Sequence, residues 1–169
     1  MAQRQVAVQE DCCSTGGDRV EQLGRFGVDG DICLQDAAPP NFAVVDAVRE
    51  SQPGYRGIAL LYSGLLRCHN VDMPPTTMFE VLSTRFKVGC SAWLLLTIYR
   101  PGSSHLSSVF FQELATVLET LVTHGCPVVI CGDINIHVEN PSDVNAVCLL
   151  ELIASMDLQQ HVTSPTTGM

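Results

Sequence analysis

From about Arg56 onward the chain alternates short apolar segments with turn signals, whereas residues 1–40 are rich in Gly, Asp and Gln and keep no sustained period. The boundary falls near Pro39-Pro40 or Pro53-Gly54. Drawn at the second pair, it separates a divergent segment over 1–52, expected to be poorly ordered, from a domain over 53–169. Gly57-Ile-Ala-Leu-Leu-Tyr62 is apolar and bounded by Pro-Gly and Ser-Gly, which predicts a strand. After Pro74-Pro75, Phe79–Phe86 predicts a second, half-exposed strand. Ala92–Tyr99 predicts a third, stopped by Pro101-Gly102, and its unbroken apolar character requires cover on both faces.

At Leu106 the period changes. Leu106, Val109, Phe110, Leu114, Val117, Leu118 and Leu121 recur in steps of three and four, the mark of an amphipathic helix ending near Gly125. Pro127–Gly132 is then a buried strand that runs into Asp133. A second helix, capped by Ser142 or Asp143, is expected to turn Val144, Val147, Cys148, Leu152 and Ile153 inward. Gln159–Val162 opens another strand. Strands followed by helices make the fold class α/β.

Composition narrows what such a domain can do. Of 169 residues 46% are hydrophobic and 16% charged, which excludes a disordered tail, a coiled coil and a polybasic arm. No apolar run approaches the ~20 residues of a membrane helix, so no membrane partner is expected. The nine Lys and Arg are scattered singly from Arg4 to Arg100 in a chain of net charge -9, so no basic stripe is visible and weak or no DNA binding is expected. The start MAQRQVAVQEDCC has no apolar signal core, and of eight cysteines Cys90, Cys126, Cys131 and Cys148 lie in apolar segments. Free buried thiols in an intracellular compartment follow from this, with Cys12-Cys13 an incidental exposed pair. The absence of any CxxC spacing argues against zinc.

Two segments carry candidate chemistry. Val128–His137 is an apolar strand whose end presents Asp133 and Asn135 behind Gly132, a glycine that would let a ligand approach. Side chains two apart on an extended backbone share a face, so the pair could orient a water and a phosphate oxygen; a plain polar turn would have the same spacing. Thr97-Ile-Tyr-Arg-Pro-Gly102 places Tyr99 and Arg100 at the end of another buried strand, able to donate to a phosphate, or else to stand as a rim tyrosine and a solvated arginine. His137 shares the face of Asn135 if the strand continues. His69, His105 and His124 read as solvated side chains.

The order of these segments, T-I-Y-R-P-G, helix, apolar strand, G-D-I-N-I-H, helix and Q-H-V-T-S-P-T, resembles the endonuclease/exonuclease/phosphatase superfamily. It is most similar to the apurinic-type endonuclease domain of LINE-like (non-LTR) retrotransposons, over about Pro53 to Thr166, with Pro53–Tyr62 matching that family's Gly-rich strand. The resemblance implies part of a four-layer, DNase I-like sandwich and Mg²⁺-dependent hydrolysis of a DNA phosphodiester. It implies that Asp133 orients or deprotonates the attacking water, that Asn135 holds the phosphate or a metal-bound water, and that Tyr99 stabilises charge on the phosphate. Asp133 and Asn135 would be metal ligands, and Arg100 and His137 substrate-binding residues. Neither the family's first strand with its metal-binding Glu nor its terminal Ser-Asp-His is recognisable, so a domain truncated at both ends, with little or no activity, is expected. A non-catalytic remnant with the same fold is the alternative. An open sheet surface would then favour self-association over nucleic acid.

Overall fold

The computed structural model describes residues 21–22, 38–48, 57–103 and 105–161. Expectations for the loose packing of residues 1–40, for Asp29, Asp31 and Asp36 near a metal, for Cys12-Cys13 and for the Ser-Pro-Thr match lie largely or wholly outside those residues. The elements in chain order are β1 (Glu21–Gln22), β2 (Phe42–Val48), β3 (Gly57–Ser63), β4 (Arg67–Asn70), β5 (Glu80–Val88), β6 (Ser91–Tyr99), α1 (Ser108–Thr123), β7 (Val128–Asp133) and α2 (Val144–Ser155). They form an antiparallel sheet of order β1-β3-β2 and a four-stranded sheet of order β4-β5-β6-β7. Within the second sheet β4, β5 and β6 are antiparallel neighbours, and α1 is the crossover that returns the chain to lay β7 parallel to β6.

Two apolar layers explain why β6 is hydrophobic throughout. On one face Leu94, Leu96 and Ile98, with Val128 and Ile130 of β7, pack against Phe110, Leu114, Val117, Leu118 and Leu121 of α1 and Ala146, Leu149 and Ile153 of α2. On the other, Leu95 and Tyr99 of β6 join a cluster of Ile58, Leu60, Tyr62, Leu82 and Phe86 that lies between the two sheets. The Tyr62 and Phe86 rings meet edge to face at 5.4 Å across it. The result is a mixed α/β arrangement in which two sheets stack and the helices cover the outer face of the larger one.

Several elements depart from the sequence reading. β2 lies inside the segment set apart over 1–52, yet it pairs with β3 along its whole length, from Phe42↔Ser63 to Val48↔Gly57. Asp46 breaks its apolar run, and the ladder supplies what the pattern lacks. β4 is a polar edge strand, Arg-Cys-His-Asn, that hydropathy cannot flag. In α2 the buried residues are Ala146, Leu149 and Ile153, while Val144 and Val147 face out, so the inward stripe is rotated from the expected one. Asp143 is the cap, accepting from the Asn145 amide at 2.9 Å. Cys90 is exposed on the β5–β6 turn rather than buried, whereas Cys68, Cys126, Cys131 and Cys148 are half-buried thiols. Gln160 makes only an isolated bridge in place of the expected strand.

The connector from β4 to β5 is tied to α1 by Glu113. Its carboxylate accepts from the Thr77 hydroxyl at 2.6 Å, the Thr77 amide at 2.9 Å and the Met78 amide at 3.0 Å. Desolvation raises the Glu113 pKa, but these donors outweigh it and hold the carboxyl below its ordinary range.

Candidate functional site at the carboxyl ends of β6 and β7

The parallel register Thr97↔Cys131, Ile98↔Gly132, Tyr99↔Asp133 carries both strands to the same end of the sheet. Tyr99 and Asp133 are the last residues of their strands and direct neighbours, on strands spaced about 4.8 Å apart. The antiparallel pairing Glu80↔Tyr99 extends the row onto β5. Glu80, which the sequence reading passed over, thus brings a second carboxylate to this end of the sheet, with both oxygens shielded from solvent. Its strand phase with Leu82 and Phe86, which face the inter-sheet layer, is the signal that would have found it.

Gly132 has a purpose other than ligand access. Its φ is 122°, and a Cβ there would stand 1.9 Å from the Ile98 carbonyl oxygen on the neighbouring strand. Only glycine permits that close approach, so the residue seats β7 against β6 immediately before Asp133.

Beyond the strand ends, the chain locks itself with a reciprocal set of hydrogen bonds. The Arg100 amide donates to the Asp133 carbonyl at 2.8 Å. The guanidinium donates to the carbonyls of Ile134 at 2.7 Å, Asn135 at 2.7 Å and Pro101 at 3.2 Å. In return, Asn135 Nδ2 donates to the Arg100 carbonyl at 2.7 Å, and the Asn135 amide donates to Asp133 Oδ1 at 2.9 Å. Asn135 sits at φ 54°, a left-handed conformation that asparagine tolerates better than most residues. Its Oδ1 lies against Gly102, where a Cβ would be only 3.0 Å away.

This geometry bears on three of the expected site residues. Arg100 is 2% exposed and lies over the Phe110 ring at 5.9 Å, so it clamps two loops together rather than reaching out to a phosphate. Burial lowers its pKa and the nearby Asp133 charge opposes that shift. Asn135 gives one Nδ2 hydrogen to the same clamp, and its side chain is held against Gly102. His137 does not continue the strand face, because β7 ends at Asp133; it is exposed, with Nδ1 3.1 Å from Glu139 Oε1. Tyr99, by contrast, packs its ring against the inter-sheet cluster, and its hydroxyl makes no hydrogen bond with a described residue.

The charge at this end is negative. A cavity of about 620 Å³ opens beside Glu80 and takes Asp46, Asp72 and Glu80 into its wall without a Lys or Arg. Mg²⁺ demands near-octahedral oxygen ligands, yet no group of three His, Cys, Asp or Glu side chains gathers among the described residues. Asp133 and the Asn135 Oδ1 are each suited to be a hard ligand, but the described residues do not complete a set.

No family model matches the chain, and no curated protein matches it. Among solved structures it is similar to ANGEL2, a 2',3'-cyclic phosphatase in complex with adenosine-2',3'-vanadate, with a TM-score of 0.47 and 17% identity over 66% of this chain. The matched part is 36% of that structure, so the chain spans about a third of its length.

Proposed function

We propose that the chain carries the phosphate-facing corner of an endonuclease/exonuclease/phosphatase-type domain, derived from the endonuclease of a non-LTR retrotransposon, and that it retains little or none of the Mg²⁺-dependent phosphodiester cleavage of that family. The observation that carries the reading is the pairing of Tyr99 with Asp133 at the carboxyl ends of parallel strands. In open α/β sheets that end is where ligands meet a crevice. There the Tyr99 hydroxyl can donate to a phosphate oxygen, and Asp133 can orient a water and take its proton. The Asn135 amide fixes one oxygen of that carboxylate, which restricts the direction in which Asp133 presents the other.

The same geometry accounts for weak chemistry. Arg100, the cation that would bind the phosphate, holds the protein together instead, and one Nδ2 hydrogen of Asn135 is given to the same clamp. The carboxylates of Asp46 and Asp72 in the cavity wall repel a phosphodiester. The inward clamp also favours the alternative reading, a module that keeps the fold and has no chemistry of its own.

Plasmid nicking tests the proposal. Supercoiled plasmid incubated with the purified chain and Mg²⁺ should show no nicking above the metal-free control, and Asp133→Ala should behave identically, since the survivors of a depleted catalytic set contribute little. Mg²⁺-dependent nicking abolished by Asp133→Ala would keep the site but overturn the weak activity. Nicking insensitive to Asp133→Ala would place the chemistry elsewhere and overturn the site.

A further inference from the structure

Arg85 and Lys87, two apart on one strand, gain Arg67 and His69 as neighbours in the sheet. The β4–β5 register sets Arg67 opposite Lys87 and His69 opposite Arg85. Positions two apart on a strand share a face, so all four side chains project from one side of the sheet edge, and all four are exposed. Three of the chain's nine Lys and Arg therefore stand together in a protein of net charge -9. Like charges directly opposite each other destabilise a sheet, and none of the three has an ion-pair partner among the described residues. Nothing within the described fold offsets that repulsion.

A second, independent feature adjoins this ladder. The β3–β4 turn presents Leu65 at 92% exposure, and Val88, the last residue of β5, is 53% exposed. The pairing Arg67↔Lys87 is the last rung before the β3–β4 and β5–β6 turns, so Leu65 and Val88 lie at that end of the sheet, Val88 on the Phe86 face and the cations on the other face one residue behind it. Trp93, the only tryptophan, lies opposite Phe86 near that end and is 38% exposed.

We propose that this end of the sheet is a docking surface for an anionic lipid bilayer, with Leu65 and Val88 entering the headgroup boundary and Arg67, Lys87 and Arg85 resting on the acidic headgroups. Apolar insertion joined to basic residues is the combination that holds a protein at a membrane surface without spanning it. A nucleic acid would use the cations but leave both aliphatic tips in water. It would also be held at the wrong end: β5 runs from Glu80 beside the candidate site to Val88 at the turn, a distance of roughly 27 Å at about 3.3 Å per residue. Docking through the turns leaves the Tyr99–Asp133 row facing the solution, so this surface is independent of the proposed chemistry.

Co-sedimentation of the full chain with phosphatidylcholine vesicles, with and without phosphatidylserine, tests the proposal, and Trp93 fluorescence reports engagement. The chain should bind the phosphatidylserine vesicles only, with a blue shift of Trp93 and weaker binding as salt is raised. Arg67→Ala and Lys87→Ala should each weaken binding roughly fivefold, the effect of one basic residue at an anionic surface. Leu65→Ser, which leaves the charge unchanged, should weaken it roughly tenfold. No binding to the anionic vesicles, equal binding to neutral ones, or indifference to these substitutions would overturn the proposal. Duplex DNA binding lost with Arg67→Ala but insensitive to Leu65→Ser would assign the ladder to nucleic acid and overturn it. So would a dimer in gel filtration that Leu65→Ser dissociates without any vesicle binding.

Discussion

Two residues decide whether the candidate corner exists at all. At Gly132 an added methyl meets the Ile98 carbonyl oxygen at 1.9 Å, and the backbone sits at φ 122°. Gly132→Ala should therefore lose about 3 kcal/mol or more in urea unfolding, because the neighbour is backbone and cannot turn aside. Gly125→Ala, with φ 66° and open space around it, is the control and should lose only about 1 kcal/mol. Arg100 is the other. Replacing it by Met strands the buried carbonyls of Ile134 and Asn135 and should cost about 2–4 kcal/mol, while Arg100→Lys, which keeps the charge but not the fork, should recover only part of this. Equal stability of wild type and Arg100→Met would mean that the clamp does not hold the loops. At this scale the sequence was legible in part. Tyr99 and Asp133 each end an apolar run, and a run shows where its strand stops. Where Arg100 points was hidden, because hydropathy carries no information about the carbonyls that β7 would bring beside it.

Elements were legible where one face is buried and illegible where none is. β3, β5, β6, α1 and β7 each bury a periodic set of side chains, so their positions follow from the pattern. β4 buries almost nothing and exists because β5 offers it an edge. In α2 apolar residues surround the helix, with Val144, Val147 and Leu150 outside, so its inward face was set by packing rather than by pattern. The fastening of α1 to the β4–β5 connector has a pH signature. Glu113 has a lowered pKa in the fold, so its contribution is present above the unfolded carboxyl value, about 4.3, and is lost as pH falls through the lower folded value. Glu113→Gln should cost about 1 kcal/mol at pH 7, a figure kept small because these bonds are exposed. Wild type and variant should converge in acid. A difference in melting temperature that persists undiminished below the folded pKa would show that the carboxylate charge is not what fastens the connector.

At the scale of the whole molecule, charge is arranged in space in a way that its order along the chain conceals. Acidic groups gather at the end that carries Tyr99 and Asp133, and cations gather at the other end of the same sheet. Counting Lys and Arg along the sequence finds no basic run, because Arg67 joins Arg85 and Lys87 only through strand pairing, and searching for a spanning segment cannot find a surface assembled from two strand ends. The stacked sheets with helices on one side match the expected class, while the interior is divided into two apolar layers that meet on β6. The central claim is that a phosphodiester meets this molecule at the Tyr99–Asp133 row and is held there poorly. Its most direct test is titration of the ¹⁵N-labelled chain with a dinucleotide phosphodiester, with and without Mg²⁺, followed by amide shifts. The account predicts weak, non-saturating shifts confined to Tyr99, Asp133 and their immediate neighbours, reduced in Asp133→Ala. Shifts that instead centre on Arg67, Arg85 and Lys87, or that leave Tyr99 and Asp133 untouched, would contradict it.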